Sequence, residues 1–208
     1  MIKLWMIPKN LPLLDVSIEE QKWSHNLADK KKKEYLHSRG YIRAVLGPIL
    51  NFDPLDLPLI APPNKPPRIN LSNNSYISLS HCEDSLFFGY SNVPFGLDIE
   101  RTDRKIFTNQ IIKRFTTDNE KKFLEKLVSS NHKEETLKLW VSKEAAIKFC
   151  KGKLFRDLKL WDCHSRNNHI VNIKNKFSLN LSVFKFRNWY ISLVSDKKTN
   201  LKNIIICC

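Results

Sequence analysis

Between Glu134 and Cys150 the sequence keeps a helical period but leaves almost no polar side. Spaced at about 100° per residue, Leu137, Trp140 and Val141 flank one face, and Leu139, Ala146, Phe149 and Cys150 fill the opposite one. A helix that is apolar nearly all round is a buried helix. The rest of the chain must therefore wrap it, and the neighbouring segments read as strands that can do so. Tyr76 to Ser80, Leu86 to Ser91 and Gly96 to Glu100 precede the helix, and an alternating tail from His169 to Ser195 follows it.

Other signals fill in the order. Ile2 to Ile7 reads as a first strand stopped by Pro8, and Ser17 with Glu20 spells a capping box at a helix start. A helical pattern runs from about Asn26 to about Leu46, where Gly47-Pro48 predicts a stop or a bend. Residues 53–68, dense in proline, predict an extended loop. Further helices are expected around Asn109 to Phe115 and Asp118 to Val128. Each half thus runs from strand to helices to strands. This predicts an α+β chain of two comparable subdomains, residues 1–95 and 96–208, meeting near Gly96, although no sequence repeat relates them.

Bulk properties narrow the function. No apolar run approaches the roughly 20 residues of a membrane helix, and the start MIKLWMIPKN has no long apolar stretch or cleavage site, so neither membrane nor secretory leader is expected. The five cysteines are odd in number and show no zinc or disulfide spacing, which points to a reducing cytoplasm. The net charge of +14 favours an anionic partner without naming it.

Five short patterns carry chemistry. In Gly96-Leu97-Asp98-Ile99-Glu100 a strand would turn Asp98 and Glu100 to the same face. Two acids so placed repel each other unless a cation or basic group stands between them, and magnesium takes such oxygen ligands. In Trp140-Val141-Ser142-Lys143-Glu144-Ala145-Ala146-Ile147-Lys148, Glu144 and Lys148 fall on an apolar face, where charge is costly unless paired or metal-bound. Ser80-His81 at a strand end can donate to phosphate, Asn64-Lys65-Pro66 presents a lysine on extended backbone, and Arg39 and Arg43 share a helix face.

The order of these patterns, from about Lys31 to Leu154, resembles the Sfp-type 4′-phosphopantetheinyl transferases. The resemblance implies two α+β subdomains related by a pseudo-twofold, with coenzyme A bound between them. It implies Mg²⁺ on Asp98, Glu100 and Glu144, Lys148 on phosphate with Lys143 nearby, and Arg39, Arg43, Lys65, Ser80 and His81 around the adenosine phosphates. Lys113-Arg114-Phe115 with Glu120 matches a K-R-F…E segment, making Glu120 a candidate general base, with Glu144 or a metal-bound water as alternatives. The implied reaction moves phosphopantetheine from coenzyme A to a serine of an acyl or peptidyl carrier protein, performed by a cytoplasmic monomer without nucleic acid or membrane. The family's G-K-P, S-H-S and G-x-G-L are here Asn64-Lys65-Pro66, Ser80-His81-Cys82 and Lys151-Gly152-Lys153-Leu154. A Mg²⁺-dependent nuclease is the rival enzyme, but its lysine usually lies two residues from an acid on a strand. A basic nucleic-acid-binding module explains the charge and leaves the acids without purpose.

Overall fold

The computed structural model describes residues 2–72, 74–105, 109–164, 168–197 and 204–207. Its elements are β1 (Ile2–Pro8), α1 (Ile18–Ser24), α2 (Asp29–Ile49), β2 (Leu59–Ile60), β3 (Arg68–Ile69), β4 (Tyr76–His81), β5 (Ser85–Ser91), β6 (Gly96–Arg101), α3 (Asn109–Phe115), α4 (Asp118–Glu125), α5 (Ser129–Phe149), α6 (Leu154–Asp157), β7 (Trp161–His164), β8 (His169–Asn172), β9 (Phe177–Phe186), β10 (Trp189–Ser195) and β11 (Ile204–Cys207). The chain is mixed α+β, and it divides into two compact units, residues 2–93 with the chain end from 205, and residues 94–204. No described helix is long and apolar enough to cross a membrane. Cys82, Cys150 and Cys163 are free thiols, and the side chains of Cys207 and Cys208 lie outside the described residues.

In the N-terminal unit the sheet order is β11-β1-β5-β4. β1 and β4 each run antiparallel to β5. Trp5 stacks on Phe88 with ring centroids 5.2 Å apart, and Ile42 and Leu46 of α2 join them in the core with Leu57, Leu59 and Ala61 of the proline-rich segment. The Ser17–Glu20 capping box forms. α2 ends at Ile49, so the stop or bend expected at Gly47-Pro48 falls within its last turn. Pro48 lies in the last turn, where its missing N–H removes a single intrahelical bond, and Leu50 closes the helix by donating to Leu46 and Gly47 carbonyls. β2 and β3 form a two-stranded ladder, and the chain between them is not extended as expected but turns at Pro63-Asn64, where the Lys65 N–H donates to the Pro62 carbonyl at 3.3 Å.

In the C-terminal unit the order is β6-β10-β9-β8-β7, every neighbouring pair antiparallel. α5 packs on this sheet through Leu137, Val141, Ala145 and Ala146, all buried. It starts at Ser129, earlier than its apolar pattern, because Val128 enters it in extended conformation with no side-chain cap to mark the start. The end of α4 falls at Glu125 for the same reason: residues 126–128 form the turn between the helices. β7 is too short for alternation to reveal it.

Two contacts fix α5. Gly96 lies against it so closely that a Cβ there would stand 2.0 Å from the Ala145 carbonyl oxygen and 2.8 Å from the Phe149 nitrogen. On the other contact, Lys143 and Glu120 are both fully buried and paired at 2.6 Å. Lys143 also donates to the Phe115 and Leu158 carbonyls, while Glu120 accepts from the Thr117 and Cys163 N–H groups. Burial pushes the Glu120 carboxyl up and the Lys143 amine down, and each charge opposes the shift of the other. The pair thereby ties α5 to the start of α4 and to β7.

Gly96→Ala should force α5 off the strand. Overpacking against rigid backbone costs about 3 kcal/mol or more, or roughly 6–12 °C in a thermal melt of a chain this size. An unshifted melt would mean that the helix does not rest on Gly96. Glu120→Gln should leave a buried ammonium without its counter-charge, at a cost of about 3–5 kcal/mol in urea unfolding. Adding Lys143→Met should recover part of that loss, whereas a double variant weaker than the single one would refute the pairing.

Candidate active site

β6 and α5 bring the acidic residues together. Alternation puts Gly96, Asp98 and Glu100 on one face of β6, and the contact at Gly96 shows that this is the face beneath α5. Along that line the helix runs opposite to the strand. Lys148 donates to Asp98 Oδ1 at 2.5 Å, and Trp140, two turns earlier, donates from its indole to Glu100 Oε1 at 3.1 Å. Glu144 lies between them on α5, close enough to feel Asp98, Lys148 and Arg104 and to share the Trp140 indole. Arg104, beyond the end of β6, pairs with Glu100 and stands 5.7 Å from the Trp140 ring centroid.

Charge in this cluster is crowded. Asp98 is only 2% exposed. The Glu144 carboxyl is pushed up to about 8, first because burial strips its water and then because Asp98 lies nearby; Lys148, Arg104 and the indole bond pull the other way. A hard divalent cation suits such a donor set, since it binds carboxylate oxygens and keeps waters that a phosphate can replace. Among the described residues no group of acids is arranged to hold an ion outright. Lys148 and Arg104 supply the positive charge against Asp98 and Glu100.

Glu120 and Lys143 stand elsewhere. The hydrogen-bond partners of Glu120 are Lys143, Thr117 and Cys163, none of them part of the Asp98–Glu144 cluster. Thr117, which caps α4, also donates to Asp162, and Asn119 donates to the same carboxylate at 3.1 Å.

The remaining candidates lie in the N-terminal unit. Arg39 and Arg43 are buried and bonded to the proline-rich segment. Arg39 donates twice to the Ala61 carbonyl, at 3.2 and 3.1 Å, with its guanidinium over the Tyr35 ring. Arg43 pairs with Glu20 at 2.7 Å and donates to the Pro54, Leu55 and Leu57 carbonyls. Lys65 is exposed just beyond this held segment. Ser80 is buried and His81 exposed at the end of β4.

Two of the sequence departures keep a glycine-like backbone. Asn64 takes φ 60° and Lys151 takes φ 53°. Asn tolerates this left-handed region better than other residues. At Lys151 the φ closes α5, with Gly152 N–H bonded to the Ile147 carbonyl at 2.9 Å, as in a Schellman end. Arg104 and the bridging role of Trp140 escape a reading by motif. Arg104 follows the strand rather than lying in the pattern, and Trp140 reads as core until its indole is seen between two acids.

The ACPS family model, described as the 4′-phosphopantetheinyl transferase superfamily, matches residues 94–201. No curated protein sequence matches the chain. The family match covers more than half of the 208 residues and takes in both β6 and α5, the two elements on which the acids meet, so the chain belongs to the 4′-phosphopantetheinyl transferase superfamily.

Proposed function

We propose that this protein is an Sfp-type, Mg²⁺-dependent enzyme that moves 4′-phosphopantetheine from coenzyme A to a serine of an apo acyl or peptidyl carrier protein, releasing 3′,5′-ADP. The observation that carries the reading is the meeting of Asp98 and Glu100 on β6 with Glu144 and Lys148 on α5. In this reading Asp98, Glu100 and Glu144 hold the magnesium, which when bound neutralises charge on the pyrophosphate. Lys148, 31% exposed at its side chain, is the cation in contact with Asp98 that can also meet a phosphate oxygen.

The serine oxygen attacks the β-phosphorus, the bond to the 3′,5′-ADP oxygen breaks, and the serine proton leaves to a base. Glu144 is given that role because it lies beside Asp98 and Lys148, where the phosphate is proposed to bind. Glu120 is enclosed by its pairing with Lys143 and acts by holding α5. Exposed Lys65 and His81, with Ser80, are assigned to the adenosine phosphates. Arg39 and Arg43 act by fixing the segment that leads to Lys65. The +14 charge suits an acidic carrier protein. A cytoplasmic monomer completes the reading, with an exposed free thiol at Cys150 in keeping with a reducing compartment.

Mass spectrometry of apo carrier proteins incubated with the enzyme, coenzyme A and Mg²⁺ tests the class. One added phosphopantetheine per carrier serine is expected, abolished by chelation and restored by Mg²⁺. Unmodified carriers across fatty-acid and peptide types would reject the reading. Glu144→Gln should melt no lower than the parent, because it relieves the repulsion from Asp98. Its transfer rate should nevertheless fall by about 10²-fold or more. Near-parental turnover at limiting Mg²⁺ would remove Glu144 from the site.

A further inference from the structure

Ser192 lies in the middle of β10 and is the cross-strand partner of Asp98. Side chains paired in this way share a face, with Cβ atoms about 4.5–5.5 Å apart. Ser192 therefore shares with Asp98 the face beneath α5, and its relative exposure is 0%. Its hydroxyl has no hydrogen-bond partner among the described residues. On the other flank, β9 places Val183 opposite it, whose side chain offers no acceptor. Leaving a buried hydroxyl unpaired costs about 1–3 kcal/mol, and alanine would occupy the same place without that cost. Of its two cross-strand partners, only Asp98 carries a side chain that a Ser192 hydroxyl can serve.

We propose that Ser192 is a positioning residue for Asp98: its hydroxyl donates to the Asp98 carboxylate and holds it in place when that carboxylate binds a divalent cation. The inference rests on the reading of Asp98 as a metal ligand. Carboxylates that bind metals are themselves held by hydrogen bonds, and loss of such a partner typically weakens metal affinity by about 10–100-fold. In the present arrangement Lys148 occupies Asp98 Oδ1. Exchange of that ammonium for a cation would require the carboxylate to keep its orientation by another bond, and Ser192 is placed to give it.

Mn²⁺ binding to the intact protein, followed by calorimetry and by electron paramagnetic resonance, tests this in the parent, Ser192→Ala, Ser192→Cys and Asp98→Asn. Ser192→Ala should melt at or above the parent temperature and bind Mn²⁺ about 10-fold more weakly. Its Mg²⁺ requirement for transfer should rise by a similar factor, with the carrier KM unchanged. Ser192→Cys, a weaker donor of similar size, should fall between the two, and Asp98→Asn should lose Mn²⁺ binding. If Ser192→Ala binds Mn²⁺ like the parent while Asp98→Asn does not, the role of Ser192 is overturned and the metal site stands. A lower melt with unchanged Mn²⁺ affinity would make Ser192 a packing residue and also overturn it. If the parent fails to bind Mn²⁺, or Asp98→Asn binds it normally, the metal reading itself fails and Ser192 falls with it.

Discussion

The C-terminal unit depends on how closely α5 lies on β6. Helix and strand backbones approach at Gly96 to a distance that no side chain would permit. That approach sets which face of the strand the helix covers, and so decides that Asp98 and Glu100 look at Glu144, Lys148 and Trp140 rather than at water. Once the backbones touch, the acids are drawn into a low-dielectric place where their mutual repulsion is strong. The raised proton affinity of Glu144 follows first from that loss of water and then from the nearby Asp98. The arrangement creates a demand for positive charge, which Lys148 and Arg104 meet by pairing with Asp98 and Glu100.

Buried charge does a different job in other parts of the chain. Glu120–Lys143 and Glu20–Arg43 are each nearly or wholly inaccessible, and each also bonds to backbone groups on distant segments. Such pairs add little net stability over apolar contacts, but losing one partner is costly. Their value here is directional. Glu120–Lys143 sets the rotation of α5 about its axis, and Arg43, with Arg39, holds the carbonyls of a proline-rich segment that has few N–H groups with which to bond itself.

Some of this was legible from residue spacing. The capping box at Ser17, the antiparallel tail and the strand at Gly96 follow from local rules, and the structure has them. The stop or bend expected at Gly47-Pro48 falls in the last turn of α2, which runs one residue past Pro48 to Ile49, because a proline in a final turn costs only one bond and the next residues close the helix. The early start of α5 and the strand β7 gave no signal, the first for want of a capping side chain and the second for want of length. The altered loops at Asn64 and Lys151 looked like losses of glycine, yet both residues adopt the left-handed backbone that glycine would supply.

By itself, then, the sequence determined the residue types, their alternation on β6 and their helical spacing on α5, because these follow from the geometry of a single strand or helix. It also determined that the helix would be buried. Only the tertiary structure decided which charged residues share a place. Lys143 is turned by about 100° from Glu144 and about 140° from Lys148 around one helix, and that rotation puts Lys143 against Glu120 and the other two against Asp98. Ser192 is one more small residue in an alternating run until strand register sets it beside Asp98. Burial and partnership depend on segments far apart in the chain, and the packing of helix on sheet, not local spacing, fixes them.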